Sequence, residues 1–360
     1  MQDKILKEKN NIEEYLNSDK KLQEFEKDVL NIIIENKLIE NGDKIVVAVS
    51  GGPDSMCLLN ILYELQPIFS KEHNIDYKMV VAHVNHGIRE ESKQEKTYVE
   101  NFCGNINIPF FYLEENVPKL SKKLKLSEET CGRKVRYEFF EKILLETNSN
   151  KIAVAHNLDD NVETIILNII RGCGLKGLIG MDYIFKNIIR PLLTLEKSKI
   201  LEYNILKNLN PCFDKTNEQE IYIRNKLRLK LIPTLKSEYN SNILKNITRM
   251  KNILKLDEDF LSKYTNNIVD ECIIDESIKD NKSIDKIYFI FYNILKEHSD
   301  IKMRSIRKII EYKMCNLDGI ENIHVIDILK LLEKNIKGKK YIIGNKFTIK
   351  ITEKNIAIIY

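Results

Sequence analysis

The stretch Lys44-Ile45-Val46-Val47-Ala48-Val49-Ser50-Gly51-Gly52-Pro53-Asp54-Ser55 constrains this chain more than any other. A run of mostly apolar, β-branched residues leads straight into a glycine pair. An Asp-Ser step follows, then a helical pattern of Met56, Leu58, Leu59, Ile61, Leu62 and Leu65. Strand, tight turn and helix in that order gather backbone N–H groups and a helix N-terminus around one point, which attracts an anion, usually a phosphate. Gly51 and Gly52 permit positive φ and close approach of the backbone to a ligand. Ser50 and Ser55 supply hydroxyls, and Asp54 can hold Mg2+ between phosphate oxygens. The Walker arrangement, in which a lysine just after the last glycine reaches the β and γ phosphates, is missing, since no lysine follows until Lys71. The loop reads as a holder of pyrophosphate as a unit. The plainer alternative is a strand-turn-helix junction with a serine cap.

Apolar runs at Tyr77–Val84, Pro109–Leu113 and Ile152–Ala155 alternate with helical patterns at 91–104, Ser127–Thr147 and Val162–Ile170. Strands that are almost wholly apolar and separated by helices predict an α/β fold with a parallel sheet covered on both faces. The polar clusters Ser50–Ser55, Asn85–Gly87 and His156–Asp160 each begin where such a strand ends. Carboxyl ends of parallel strands share one edge, and ligands bind in the crevice there. Asp54, His86 and Asp160 are therefore expected around one pocket.

A chain of 360 residues predicts two domains, because a single core rarely grows beyond ~250–300 residues. The pattern changes past Gly180: a short apolar segment at Ile188–Leu193, a helix over Glu196–Leu209, then a turn at Asp214–Asn217. The expected division is a charged N-terminal extension (1–22), a nucleotide-binding domain (23–215) and a mostly helical domain (216–360) with terminal strands inside 341–360. Seven cysteines lie far apart without a C-x-x-C pair, which suits reduced thiols in a cytoplasm and neither a disulfide scaffold nor a zinc site. The charged first twenty residues carry no signal-peptide pattern, and no apolar run approaches membrane-spanning length. A cytoplasmic protein without a membrane partner is expected. Net charge is only +4, but residues 221–256 hold nine basic residues against one acidic, Glu238. This run, which includes Arg224 and Arg228, reads as an RNA-backbone surface, weighed against a solvated face in a lysine-rich chain.

Three further clusters admit two readings each. Asp159, Asp160 and Glu163 open a helix, where acidic residues favour the macrodipole. Three carboxylates at a strand's end could equally clamp Mg2+ or the ammonium of an amine substrate. Glu129 and Arg133 have the i,i+4 spacing of a surface pair worth ~0.3–0.5 kcal/mol, the favoured reading of those residues by themselves. Alternatively Arg133 and Arg136 face the crevice and grip phosphate. His83 within its strand reads as structural, whereas His86 and His156 at strand ends are candidates for ligand contact.

Together these strings resemble one family, the tRNA(Ile)-lysidine synthases of the PP-loop (N-type ATP pyrophosphatase) superfamily. Ser50–Ser55 resembles its SGGxDS loop. Val84-Asn85-His86-Gly87-Ile88-Arg89, with Ser92 and Glu95, resembles its VNHGLR motif, and Glu129–Tyr137 its E-x-x-x-R-x-x-R-Y segment. Ala155–Thr164 with Arg171–Gly174 resembles AHHxDDQxET and RGxG; Ile189–Leu193 and Asp214–Arg228 resemble the RPLL, DxTN and RNxIR segments. The likeness spans about residues 40–240. Asn157 stands for the second His of AHH, Asn161 for Gln, and Gly132 for a common Ala, while the chain stops where longer members continue into another domain.

The resemblance implies a ligase that joins free L-lysine to the wobble cytidine of a CAU-anticodon isoleucine tRNA. ATP adenylates the cytosine carbonyl oxygen at position 2, releasing pyrophosphate; the lysine ε-amine then displaces AMP. It implies ATP on Ser50, Gly51, Gly52, Pro53, Asp54, Ser55 and His86, with Mg2+ on Asp54. Asp54, Arg133, Asp160 and Glu163 carry the chemistry, Asp160 and Glu163 seat the lysine, and Arg136, Arg224 and Arg228 contact substrate. Residues 216–360 would bind the tRNA, and a homodimer is left open. The competing readings are a PP-loop tRNA sulfurtransferase, disfavoured by the missing C-x-x-C pair, and a non-catalytic RNA-binding protein.

Overall fold

The computed structural model describes residues 20–21, 23–87, 92–212, 223–274, 287–314, 317, 319–344 and 346–360. The N-terminal extension (1–19), Ile88–Arg89, the Asp214–Asn217 turn and Cys315 lie outside them. Two compact units divide between Lys251 and Asn252. The division expected at 215/216 therefore falls later in the chain.

In the first unit, helix α1 (23–35) precedes strand β1 (Lys44–Ala48). Then come helix α2 (Pro53–Ile68), strand β2 (Lys78–Asn85), helix α3 (Ser92–Asn105) and strand β3 (Phe110–Glu114). Helices α4 (Val117–Leu124) and α5 (Glu128–Glu146) lead to strand β4 (Lys151–Ala153) and helix α6 (Leu158–Ile170). After helix α7 (Leu175–Ile179), strands β5 (Ile184–Phe185) and β6 (Ile188–Ile189) precede helix α8 (Lys197–Leu206). The sheet order is β3-β2-β1-β4-β6-β5. All pairings are parallel except the edge strand β5, which runs antiparallel to β6.

The alternation of β1 explains the two covered faces. Ile45 and Val47 join Val29, Ile33, Met56, Leu59 and Leu62 in one core, whereas Val46 joins Val80, Phe140, Ile143 and Val154 in another. Each such side chain removed from water contributes about 1.5–3 kcal/mol. β1 is thereby pinned in register, with Val46 opposite Val80 on one side and Ile152 on the other. The chain leaves β1 toward β2 and β3 first and reaches β4 and β6 later, so the order reverses between β1 and β4. At such a switch point the loops diverge and open a crevice.

Past the undescribed residues 213–222, α9 (Ile223–Lys226), a π-helical turn (Leu227–Leu231) and α10 (Ile232–Thr234) form an irregular helical run. Leu227, Ile232 and Leu244 bury against Leu158, Val162 and Ile166 on one stripe of α6. This apolar seam is why the segment after 222 belongs to the first unit. Helix α11 (Ile243–Cys272) follows, running on through acidic residues.

The second unit, taken alone, holds strand β7 (Ile287–Ile290), helices α12 (Tyr292–Lys296), α13 (Ser299–Met314) and α14 (Asn322–Lys334), and strands β8 (Lys340–Ile343), β9 (Phe347–Glu353) and β10 (Ile356–Ile359). The expected terminal strands are β8–β10, and β7 completes an antiparallel sheet in the order β7-β10-β9-β8. Phe289, Ile306, Ile328, Ile349 and Ile359 lie in its core.

Gly132 lies in α5, and a Cβ built there meets nothing nearer than His86 Cε1, at 3.6 Å. Ordinary van der Waals contact and no positive φ mean that alanine fits. Gly132→Ala should raise stability by about 0.5–1 kcal/mol, read as a higher urea midpoint at unchanged m-value.

Candidate active site

The glycine loop takes its shape from hydroxyls and one left-handed residue. Gly51 has φ +89°, the left-handed region that favours glycine, while an added Cβ would meet Glu95 and Val99 of α3 only at ordinary contact distance. The Ser55 hydroxyl donates to the Gly52 carbonyl at 3.0 Å and accepts from the Ser50 N–H at 3.1 Å. Pro53 occupies the first turn of α2, where a missing N–H costs nothing. The loop therefore presents its surface to a cleft of about 430 Å³ at the carboxyl edge of the sheet.

Asp54 and the acidic cluster meet across β1 and β4. Asn157 caps α6: its side chain accepts from the Asp160 N–H while the Asp160 carboxylate accepts from the Asn157 N–H, a capping box. The Asn157 amide also donates to Asp54 Oδ1 at 3.2 Å. The other Asp54 oxygen pairs with the Lys197 ammonium. Burial pushes the Asp54 carboxyl above its usual range, opposed by Lys197 and reinforced by the negative charge of Asp160.

Glu163 is 1% exposed. Its carboxylate accepts from Arg228 Nε at 2.7 Å and Nη2 at 3.1 Å, and from Arg224 Nε at 3.2 Å. Arg228 Nη2 also reaches Asp160 Oδ1 at 2.9 Å. Burial raises the Glu163 carboxyl, and the Arg228 guanidinium pulls it back. Asp159 stands apart from the pair: it accepts from the Lys197 N–H at 2.9 Å, holding the first turn of α8, and faces Lys236 at 3.5 Å. The basic run is thus partly internal. Arg224, Arg228, Lys236, Lys245 and Lys251 each engage a partner within this unit.

Arg133 and Arg136 both line the cleft, and among the described residues Arg133 makes no ion pair with Glu129. The isolated surface pair is replaced by a guanidinium over the Tyr137 ring, 5.2 Å from its centroid. His86 also lines the cleft, with Nδ1 buried and unpartnered. Burial and the Arg136 charge push the imidazole of His86 down to about 4. His156 is likewise pushed to about 4, by burial first, with Asp160 opposing and the charges of Arg190, Arg224 and Arg133 adding. The Nδ1 of His156 accepts from Arg190 Nε at 3.3 Å. A neutral ring with Nδ1 accepting carries its proton on Nε2. His83 proves structural, fully buried with Nδ1 donating to the Val49 carbonyl at 2.8 Å.

Lys197 escaped the sequence reading, and Arg190 entered it only within the RPLL string, without a role. Both sit after β6, far from the glycine loop in sequence, in a segment whose apolar residues drew attention instead. The signal was faint: a lone lysine at a helix start in a chain with 57 lysines and arginines.

The PP-loop domain family matches residues 15–235. A tRNA(Ile)-lysidine synthase of Caldanaerobacter subterraneus subsp. tengcongensis is 42% identical over 315 residues, covering 86% of this chain and 64% of that protein. One of Petrotoga mobilis is 39% identical over 215 residues, covering 60% of this chain and 67% of that protein. The chain belongs to the tRNA(Ile)-lysidine synthase branch of the PP-loop family. It spans 64% of the length of the Caldanaerobacter relative. The U34-tRNA thiolase NcsA of Methanococcus maripaludis shares the fold, with a TM-score of 0.53 at 19% identity over 66% of this chain and 80% of that one.

Glu163→Gln removes the anion that two guanidiniums face. It should cost about 2–4 kcal/mol at neutral pH by urea unfolding, more than loss of either arginine alone. The two neutral histidines set a pH dependence. Their folded values of about 4 lie below the ordinary 6.5, so the unfolded chain binds more protons between those limits. The stability they confer is complete above pH 6.5 and is lost as pH falls toward 4. His156→Asn should flatten this slope, by on the order of 2 kcal/mol between pH 7.5 and 4.5, in paired urea titrations. The difference between the two proteins cancels the opposite contribution of the raised carboxyls.

Proposed function

We propose that this chain ligates free L-lysine to the wobble cytidine of a CAU-anticodon isoleucine tRNA at the cost of ATP. The observation that carries the reading is the meeting of the glycine loop and the arginines of α5 on one cleft, with the Asp160–Glu163 pair of α6 joined to it through Arg228, which also lines it. A ring carbonyl oxygen is a poor leaving group, so the base must be activated before an amine can replace it. Its attack on the α phosphate of ATP makes the oxygen part of a phosphate ester, and pyrophosphate departs into the N–H groups of Gly51, Gly52, Asp54 and Ser55. Arg133 and Arg136, on the opposite wall, steady the phosphates or the RNA backbone with bidentate guanidiniums.

The residues fit a divalent ion in the way Mg2+ is commonly bound, by one protein carboxylate with phosphate oxygens and water supplying the rest. Asp54 is that carboxylate, and its burial favours a cation beside it. Bound there, Mg2+ would neutralise charge on the leaving pyrophosphate.

Asp160 and Glu163 are assigned to the lysine ammonium. In the free chain Arg224 and Arg228 fill that role as internal cations. Both arginines are partly exposed and belong to the basic run 221–256 read as an RNA-backbone surface. Their transfer to RNA phosphates would open the carboxylates to the substrate amine, so that RNA and lysine sites fill together. A carboxylate close by then takes the proton that the amine loses before attacking. His86 and His156, being neutral, serve as hydrogen-bonding groups rather than as cations.

Incubation with ATP, radiolabelled lysine and a CAU-anticodon isoleucine tRNA transcript should put label in RNA and release AMP. Asp54→Ala should lower that rate at least a hundredfold. Asp160→Asn should raise the KM for lysine about tenfold or more while leaving ATP binding within twofold, as expected for loss of one charged partner. Label entering RNA from a sulfur donor instead would favour a sulfurtransferase.

A further inference from the structure

Lys197 makes one ion pair among the described residues, to Asp54, the carboxylate that the proposed reading gives to Mg2+. Its backbone is immobilised: the N–H is held by Asp159 at 2.9 Å, and the residue begins α8. Ile200 and Tyr203 on the next turn are fully buried in the main core. The side chain can therefore swing while its root stays put. Within its reach lies the cleft that it lines together with Ser50, Gly52, Asp54 and Ser55.

A divalent metal and an ammonium held on one carboxylate oxygen would stand side by side and repel each other. The other oxygen, Oδ1, already accepts from Asn157. Entry of a metal with its nucleotide therefore weakens the hold of Asp54 on Lys197 and favours its departure. The displaced ammonium then faces the groups on the cleft floor, which are loop N–H donors and the phosphates they would hold. We propose that Lys197 is an exchange cation. It neutralises Asp54 in the free protein and moves to the β and γ phosphates, and then to free pyrophosphate, when metal takes its place. The lysine that the glycine loop lacks is thus supplied from the far side of β6. Because it is tethered to a different element, it bonds the leaving group without being part of the loop that holds it. This inference rests on the reading of the cleft as an ATP site, and it goes further by naming the side chain that takes the departing pyrophosphate.

The test is calorimetric titration with inorganic pyrophosphate of four proteins, wild type, Asp54→Asn, Lys197→Met and the double variant, each in EDTA and in Mg2+. Without metal, Asp54→Asn should bind pyrophosphate about tenfold or more tightly than wild type, because Lys197 is released and one negative charge is gone. The double variant should lose that gain, by about ten- to a hundredfold, the loss of a charge-assisted bond. With Mg2+, Lys197→Met should bind about ten- to a hundredfold more weakly than wild type, and Lys197→Arg should recover most of the affinity. A double variant that binds as tightly as Asp54→Asn would show that Lys197 only screens Asp54, and the proposal would fall. Lysidine formation by the wild type is scored separately. An active wild type with no Lys197 effect on pyrophosphate overturns the exchange alone. An inactive wild type that shows the full cycle leaves the exchange standing and overturns the tRNA reaction.

Discussion

The site depends on a carboxylate taken out of water. Glu163 has no access to solvent worth counting, and an unpaired charge there would cost several kcal/mol. Arg224 and Arg228 supply the compensation, and Arg228 carries it on to Asp160. Those arginines come from the segment after residue 222, so pairing and the apolar seam of Leu227, Ile232 and Leu244 on α6 draw the same stretch of chain to the same helix. Charge and packing agree, and the rim of the cleft closes from a distant part of the sequence. The arrangement also has a functional reading. Guanidiniums that remain partly exposed can leave an internal anion for an external one at modest net cost, because each exchange keeps the count of charged bonds.

The departures from the family strings make local sense in the same place. Asn is a better helix N-cap than His, and Asn157 uses its oxygen for the Asp160 N–H and its amide for Asp54. One side chain thus joins the ends of β1 and β4. Asn161, shorter than glutamine, accepts from the Met181 N–H at 2.8 Å. It does so beneath Gly180, whose φ is +69° and whose position would set a Cβ 2.6 Å from the Asn161 oxygen. A longer side chain would have to fold away from that turn. These asparagines act as structural joints around the acids.

What could be seen in the sequence followed from period and order. The apolar runs of β1, β3 and β4 are uninterrupted, that of β2 is broken only by His83, and each ends in polar residues. The parallel sheet, its edge and the meeting of Asp54 and His86 on one cleft could be inferred from that pattern, whereas the α6 acids stand behind Arg228 and do not line it. The partners of those residues could not be inferred. Lys197 approaches Asp54 only because β6 lies beside β4 and α8 starts where Asp159 can hold it. β6 itself is two residues long, too short for any periodic signal. Arg133 was ambiguous for a related reason: helical spacing states that Glu129 and Arg133 share a face, but not whether that face meets water or a cleft. The place where the chain divides was obscured because the seam holding residues 223–251 to α6 is tertiary.

Burial first, and then the charges of neighbouring cations, keep both cleft histidines neutral, and this follows from the same economy of charge. The cleft is lined by Arg133, Arg136, Lys197 and Arg228, cations that suit the anions of the proposed reaction. Nearby cations make protonation harder still, Arg136 for His86 and Arg190, Arg224 and Arg133 for His156, so both rings remain neutral, and for His156 a neighbour also fixes the direction. Arg190, 6% exposed, spends one guanidinium bond on the Asp182 carbonyl at 2.7 Å and another on His156. Its charge is thereby converted into an orientation, with Nε2–H of His156 turned to the free side of the ring. Positive charge in this cleft therefore does two kinds of work. The exposed guanidiniums and the tethered lysine are free to follow anions, whereas the buried Arg190 sets the hydrogen-bonding sense of a group that no longer carries charge.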